Sequence, residues 1–116
     1  VINGDGKQTR DYVFVGDVVT ANLLALGDVP SGAYNIGTGI ETDVNELFHT
    51  LRELTGASAD EIHAPAKAGE QLRSCLSAAK ATRVLGWSPR TELRDGLAKT
   101  VEFFGSAPRN LSAPHP

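Results

Sequence analysis

The sequence is poor in sulfur, with no methionine and one cysteine, Cys75. A single cysteine cannot form an internal disulfide, which excludes a disulfide framework and favours a reducing compartment, so we expect a cytoplasmic protein. A translated chain begins with methionine, whereas this one opens on Val1. We therefore expect the 116 residues to be a piece of a longer protein.

Long apolar runs and an excess of basic charge are also missing. The chain has 11 basic and 14 acidic side chains, so we expect no nucleic-acid partner, which would usually require a basic face. No stretch approaches the roughly 20 apolar residues that cross a membrane, so we expect no membrane partner. Hydrophobic residues still make up 41% of the chain, which is too many for a disordered one.

Motifs that carry common cofactor and nucleophile chemistry are missing as well. The Gly4-x-Gly6 turn has Thr9 where a dinucleotide fingerprint needs its third glycine, and the turn at 37–39 has Thr42 there. The chain has no phosphate-binding loop, no G-x-S-x-G elbow and no Tyr-x-x-x-Lys pair. Its three histidines show no metal-ligand spacing. We therefore predict no catalytic residue, no cofactor-binding residue and no metal site within this chain.

Capping residues and helical spacing predict four helices. The clearest covers 44–54, where apolar side chains recur every three to four residues between a cap at Thr42 or Asp43 and a stop at Gly56. A second helix is predicted from an N-cap at Asp17 to residue 26, with Val19, Leu23 and Leu26 on one face. A third runs from Ser77 to a stop at Gly86, and a fourth from Thr91 to 104.

Three short strands are predicted between these helices. Aromatic and β-branched residues indicate strands at 12–15 and 33–36, and a third is expected at 62–64. Alternation of strands and helices indicates an α/β fold, with α+β character for this piece in isolation. Three isolated strands make a poor sheet, so we expect further elements outside the chain.

Two charged clusters are candidate binding sites. In the first, a glycine turn delivers Arg10 to the edge of the predicted strand, where its guanidinium could fork onto phosphate oxygens or simply pair with Asp11 or Asp17 at the surface. In the second, the 65–73 loop offers Lys67 and Glu70, with Arg73 close behind; a solvated charged loop is the alternative there.

These residues resemble a known family when they are taken in order. The segment GDGKQTRDYVFVGDVV at 4–19 resembles the extended short-chain dehydrogenase/reductases of the NAD-dependent epimerase/dehydratase family, specifically their UDP-glucose 4-epimerase-like members. YNIGTG at 34–39, KAGE at 67–70 and LGWSP at 85–89 follow in the order typical of that family. The resemblance covers residues 2–104.

The resemblance implies a C-terminal, substrate-binding part whose elements pack on a Rossmann sheet that this chain lacks. In that family the N-terminal Rossmann domain holds NAD and carries the catalytic residues, and the smaller C-terminal part grips the nucleotide sugar. The implied division of this chain is a nucleotide-sugar-binding part at 1–104 and a flexible tail at 105–116. NAD is accordingly expected in the parent enzyme and not on this chain.

The resemblance also implies roles for three residues. Arg10 would contact the diphosphate of the sugar nucleotide, and Glu70 would hold the ribose hydroxyls. Lys67 stands where the family usually has a second diphosphate arginine, so it can supply charge but not the forked hydrogen bonds.

The implied function is substrate binding in a UDP-sugar 4-epimerase, an isomerase, and the chain alone is expected to be inactive. Two alternatives stay open: the same part of a nucleotide-sugar 4,6-dehydratase, decarboxylase or reductase, and a non-catalytic nucleotide-sugar-binding module. The implied partners are a UDP-sugar and the Rossmann domain of the same enzyme, with a homodimeric parent.

Overall fold

The computed structural model describes residues 1–106, which form four helices and four very short strands. In chain order these are β1 (Ile2–Asn3), β2 (Thr9–Arg10), α1 (Val15–Ala25), β3 (Thr42–Asp43), α2 (Val44–Thr55), β4 (His63–Ala64), α3 (Ala79–Leu85) and α4 (Leu93–Ser106). None of the helices within residues 1–106 has the length and apolar character needed to cross a membrane.

The strands form two separate ladders of two strands each. β1 pairs in parallel with β4, and β2 pairs antiparallel with β3 in a register that places Arg10 opposite Thr42. Ladders of this size are marginal by themselves, so side chains and helices must hold them in place. The mixed helix and strand content agrees with the predicted α/β class.

The core lies between α1 and α3 and is centred on Trp87. This indole is 1% exposed and packs with Ala21 of α1 and with Ala81 and Leu85 of α3. Tyr34 and Ile36 from an extended segment pack against the same cluster. Helices α2 and α4 form a second layer, joined at the surface by an ion pair of 2.9 Å between Arg94 and Glu53.

Asp17 is buried in the first turn of α1 and is not its N-cap, which corrects the sequence prediction. The N-cap is Phe14, three residues earlier. The Asp17 carboxylate instead accepts hydrogen bonds from the backbone N–H groups of Arg90 and Thr91, at 3.1 and 3.0 Å. Its backbone carbonyl accepts the Trp87 indole N–H at 2.8 Å. The Asp17 side chain, which local spacing had predicted as a cap, therefore binds backbone groups far away in the sequence instead.

The strands predicted at 12–15 and 33–36 are wrong, and the strand predicted at 62–64 is confirmed as β4. Neither of the two wrong segments pairs with a strand within residues 1–106. β-Propensity measures how well a side chain fits a paired, half-buried surface, so suitable composition does not make a strand without a neighbouring strand. The 33–36 segment uses its apolar side chains in the core instead.

The predicted boundaries of α2 and α3 are largely confirmed. The Asp43 carboxylate accepts the Glu46 N–H at 2.7 Å, which makes Asp43 the cap of α2. Gly56 and Gly86 end their helices in the left-handed region, with φ of 64° and 69°. The cap of α3 is Ala78, one residue after the predicted Ser77.

Helix α4 begins at Leu93 and runs to Ser106, two residues beyond the predicted boundary at 104. The remainder of the predicted tail, 107–116, lies outside the described residues.

The apolar face of α1 points outward. Val15, Val19, Leu23 and Leu26 are all exposed, and Leu23 shows 64% of its surface; we call these four residues the α1 face. Beside it, the segment 12–15 and helix α4 form an apolar groove of about 600 Å³, with Phe103 and Phe104 at its rim. The predicted face therefore exists, but nothing within residues 1–106 covers it.

His63 joins the first ladder to α2. Its Nδ1 lies 2.6 Å from the Gly4 carbonyl oxygen and its Nε2 lies 2.8 Å from the Glu61 carboxylate, whose other oxygen faces His49 of α2 at 2.7 Å. Both ring nitrogens of His63 thus face acceptors, and only the protonated ring can donate to both. The hydrogen bond to Glu61, followed by that to Gly4, raises the pKa of His63, and His49 and then His63 lower the pKa of Glu61.

We predict that this junction makes stability depend on pH. Because the folded pKa of His63 is raised, its contribution is complete below the unfolded value of about 6.5 and is lost as pH rises through the folded pKa. The melting temperature should therefore fall more between pH 6 and pH 9 in the wild type than in His63→Gln. An NMR titration should give a higher pKa for His63 in the wild type than for His63 in the variant Glu61→Gln. Equal pKa values in the two proteins would contradict the role of Glu61 in raising the His63 pKa.

We also predict that Asp17→Ala lowers the free energy of unfolding by about 3 kcal/mol, because two backbone N–H groups in partly buried hydrogen bonds lose a charged acceptor. Urea denaturation measures the change. The matched control is Asp28→Ala, which removes an exposed carboxylate and should cost about 0.5 kcal/mol or less. Equal effects of the two substitutions would show that the Asp17 bonds contribute little.

Candidate functional site

Arg10 and Glu70, two of the three predicted binding residues, meet at the surface. The Arg10 guanidinium Nη2 lies 3.7 Å from Glu70 Oε1, and both side chains are about a third exposed, at 32% and 27%. The Nη1 of Arg10 donates to the carbonyl oxygens of Thr9 and Gln71, each at 2.7 Å. Sixty residues of sequence separate this pair, and the fold brings them together.

The alternative pairing of Arg10 with Asp11 or Asp17 is wrong. Asp17 is buried in the first turn of α1. The Asp11 carboxylate accepts hydrogen bonds from Thr38, Gly39 and Leu76 at 2.6–3.3 Å. Partial burial would raise the pKa of Asp11, but the bond from the Thr38 hydroxyl and then those from the three backbone N–H groups lower it below its usual value. Asp11 therefore anchors the 37–39 turn directly behind Arg10.

Lys67 lies on the same loop as Glu70 but does not join the ion pair. The Glu70 N–H donates to the Lys67 carbonyl at 3.4 Å across a turn, so the two residues are neighbours along the backbone. The Lys67 side chain is exposed and makes no ion pair with any residue of the described part of the chain.

Sequence reasoning missed Glu41, which belongs to the same cluster. One Glu41 oxygen accepts from the Thr9 hydroxyl at 2.7 Å and from Arg73 Nε at 2.9 Å; the other accepts from Arg73 Nη2 at 2.6 Å. The Arg73 guanidinium and then the Thr9 hydroxyl lower the pKa of Glu41 to about 2. Glu41 is 32 residues from each partner, so no local spacing in the sequence could reveal the contact.

The glycine turn before Arg10 is held against the start of α2. A Cβ on Gly6 would lie 1.9 Å from the Asn45 side-chain oxygen, and Gly6 has a φ of 74°, so this position requires glycine. Asn45 also donates from its side-chain amide to the Asp5 carbonyl at 2.9 Å. The turn therefore delivers β2 to the site in a defined direction.

The cluster places guanidinium groups beside two carboxylates, and such groups can form hydrogen bonds with phosphates and hydroxyls. The Arg10–Glu70 contact is long and partly exposed, so an anionic ligand can replace it at little cost. Within residues 1–106, no group of three or more metal-ligating side chains could hold a metal ion.

Comparison with known proteins identifies the family. The family model described as GDP-mannose 4,6 dehydratase matches residues 1–100. A UDP-glucose 4-epimerase of Mycolicibacterium smegmatis is 46% identical over 104 residues, which cover 89% of this chain and 33% of that protein. Other relatives include dTDP-glucose 4,6-dehydratases and a UDP-glucuronic acid decarboxylase of Arabidopsis thaliana.

Solved structures agree with these relatives. A UDP-glucose 4-epimerase of Thermotoga maritima, solved with UDP-glucose, has a TM-score of 0.84 at 44% identity, over 90% of this chain and 34% of that one. MoeE5, solved with UDP-glucuronic acid and NAD, has a TM-score of 0.83 at 38% identity, over 90% of this chain and 36% of that one. The chain spans about a third of the length of the relatives that it matches. It therefore belongs to the NAD-dependent epimerase/dehydratase family, as the motifs at 4–19, 34–39 and 67–70 had indicated.

Proposed function

We propose that this chain is the C-terminal, nucleotide-sugar-binding part of an NAD-dependent UDP-sugar 4-epimerase. The observation that carries the proposal is the meeting of Arg10 and Glu70 on one open surface, although they are far apart in the sequence. An arginine and a carboxylate side by side match the two kinds of group on a nucleoside diphosphate, its phosphates and its ribose hydroxyls.

In this proposal each residue has a separate role. The planar guanidinium of Arg10 turns from Glu70 to the diphosphate and donates two parallel hydrogen bonds. Glu70, once released, accepts hydrogen bonds from the ribose hydroxyls. Lys67 approaches the phosphates from the rim of the loop and adds a point charge without forked geometry.

The contribution of this chain to the reaction is positioning. A diphosphate held at Arg10 leaves the sugar beyond it free to turn, so either face of C4 can be presented while the substrate stays bound. NAD, when bound to the rest of the enzyme, would accept and return hydride at C4. The residues of this chain do not fit a dinucleotide, since neither glycine turn has the third glycine of the fingerprint.

We predict that the 116-residue chain binds UDP and that Arg10→Ala weakens binding about 10- to 100-fold, because charge-assisted bonds to the diphosphate are lost. Isothermal titration calorimetry measures the affinity, and circular dichroism checks that the variant is folded. The matched control is Arg83→Ala, which removes an exposed arginine from the last turn of α3 and should leave the affinity unchanged. Absence of binding by the wild type at millimolar UDP would contradict the proposal.

A second candidate keeps the site and changes the reaction to a nucleotide-sugar 4,6-dehydration, decarboxylation or reduction. It is favoured by the matching family model and by the dehydratase and decarboxylase relatives. The same substrate-binding site could serve each of these reactions. The candidate reactions are therefore distinguished by the product that the complete enzyme forms from UDP-glucose, UDP-galactose or UDP-glucuronic acid. A non-catalytic binding module is the third candidate.

The partner that we propose for the α1 face and the groove beside α4 is the N-terminal Rossmann part of the same enzyme. An exposed apolar surface of this extent marks an interaction site. The relatives are about three times as long as the matched segment, which leaves a part of suitable size to cover it. We further propose a homodimeric parent enzyme.

We predict that the 116-residue chain alone does not convert UDP-galactose, and that adding the NAD-binding part of the Mycolicibacterium smegmatis epimerase restores turnover. Leu23→Glu should abolish this restoration, because a charge on the α1 face opposes docking. Ile62→Glu, at an aliphatic residue exposed elsewhere, is the matched control and should retain it. Turnover by the chain alone would overturn the proposed division of labour.

A further inference from the structure

The proposed site is assembled from two segments that have little regular structure of their own. Strand β2, which carries Arg10, is two residues long. The second segment, 70–73, carries Glu70 and belongs to no helix or strand. Backbone contact between them consists of one hydrogen bond of 2.9 Å, from the Thr9 N–H to the Leu72 carbonyl. Their relative position must therefore depend on side chains.

Glu41 contacts both segments at once. Through its bonds to the Thr9 hydroxyl and to the two Arg73 nitrogens, its carboxylate joins the residue before Arg10 to the residue three positions after Glu70. Glu41 itself directly precedes β3, the strand that pairs with β2 and places Thr42 opposite Arg10, so the ladder holds the backbone next to Glu41 against β2. The two nearly parallel bonds to Arg73 restrict direction as well as distance.

This contact also keeps a competing charge away from Glu70. Arg73 is close to Glu70 in the sequence and is highly exposed, so its guanidinium could otherwise turn toward that carboxylate. Held by Glu41, it leaves Glu70 to Arg10 in the free protein and to the ligand in the complex. A carboxylate with a pKa of about 2 is ionised at neutral pH.

We propose that Glu41 is a positioning residue that sets the spacing between Arg10 and Glu70 by holding Arg73 and Thr9 together. The inference rests on the proposed function, in which Arg10 binds the diphosphate and Glu70 binds the ribose hydroxyls. Glu41 does not touch the ligand. It acts on affinity through the geometry of the two residues that do.

The test compares Glu41→Gln, Arg73→Gln and the double variant with the wild type in the 116-residue chain. In Glu41→Gln the neutral amide keeps the size of the side chain but loses the two charge-assisted hydrogen bonds to Arg73. Each single variant should weaken UDP binding about fivefold. Because both residues act through one contact, the double variant should bind no more weakly than either single variant. Additive losses would contradict the inference.

The matched control is Glu53→Gln, which breaks the exposed ion pair with Arg94 away from the site. Both glutamate variants should melt within about 2 °C of each other, since exposed ion pairs add little stability. A loss of affinity in Glu41→Gln that is accompanied by a much larger fall in melting temperature would show a merely structural role and overturn the inference.

Hydrogen exchange at the Thr9 amide separates this inference from the proposed function. In Glu41→Gln the bond from Thr9 to Leu72 should open more often, and its exchange should quicken several-fold relative to Glu53→Gln. If the wild type does not bind UDP but this exchange quickens, the proposed function fails and the role of Glu41 in spacing stands. Unchanged exchange together with unchanged affinity would overturn the role of Glu41.

Discussion

The fold depends on one buried contact, that of Asp17 with the segment after α3. Trp87 fills the core between α1 and α3, and its indole N–H needs an acceptor once water is excluded; the Asp17 carbonyl supplies it. The carboxylate of the same residue satisfies the N–H groups of Arg90 and Thr91. One residue thus closes the core through its backbone carbonyl and, through its carboxylate, fixes the point at which the chain turns toward α4.

At the surface, the candidate site is also held by carboxylates that accept several hydrogen bonds from distant segments. They are needed there because strand ladders of two residues are marginally stable by themselves. Asp11 binds the 37–39 turn from behind Arg10, and Glu41 joins β2 to the segment that carries Glu70. Each carboxylate is satisfied by several donors, which lowers its pKa and keeps it charged. The candidate site is therefore built from fixed anions around one partly exposed ion pair, that of Arg10 with Glu70.

The exposed apolar surfaces are the part of the fold for which we propose a docking partner. Helix α1 buries Asp17 and Ala21 while Val15, Val19 and Leu23 remain exposed, whereas an ordinary amphipathic helix in an independent domain buries its apolar face. Members of the family are about three times longer than the matched segment.

Local signals in the sequence determined the helices, the stops at Gly56 and Gly86, a cap at Thr42 or Asp43 and the family motifs, because capping and helical periodicity involve residues within four positions of one another. Only the tertiary structure decided that 12–15 and 33–36 form no strand, because pairing requires a neighbour that propensity does not specify. Only the tertiary structure also showed that Asp17 is a buried residue and not a cap, and that Glu41 contacts Arg73. Those contacts cross 32 to 74 residues, and the free energy that selects them comes from burial and charge pairing of groups that no local pattern relates.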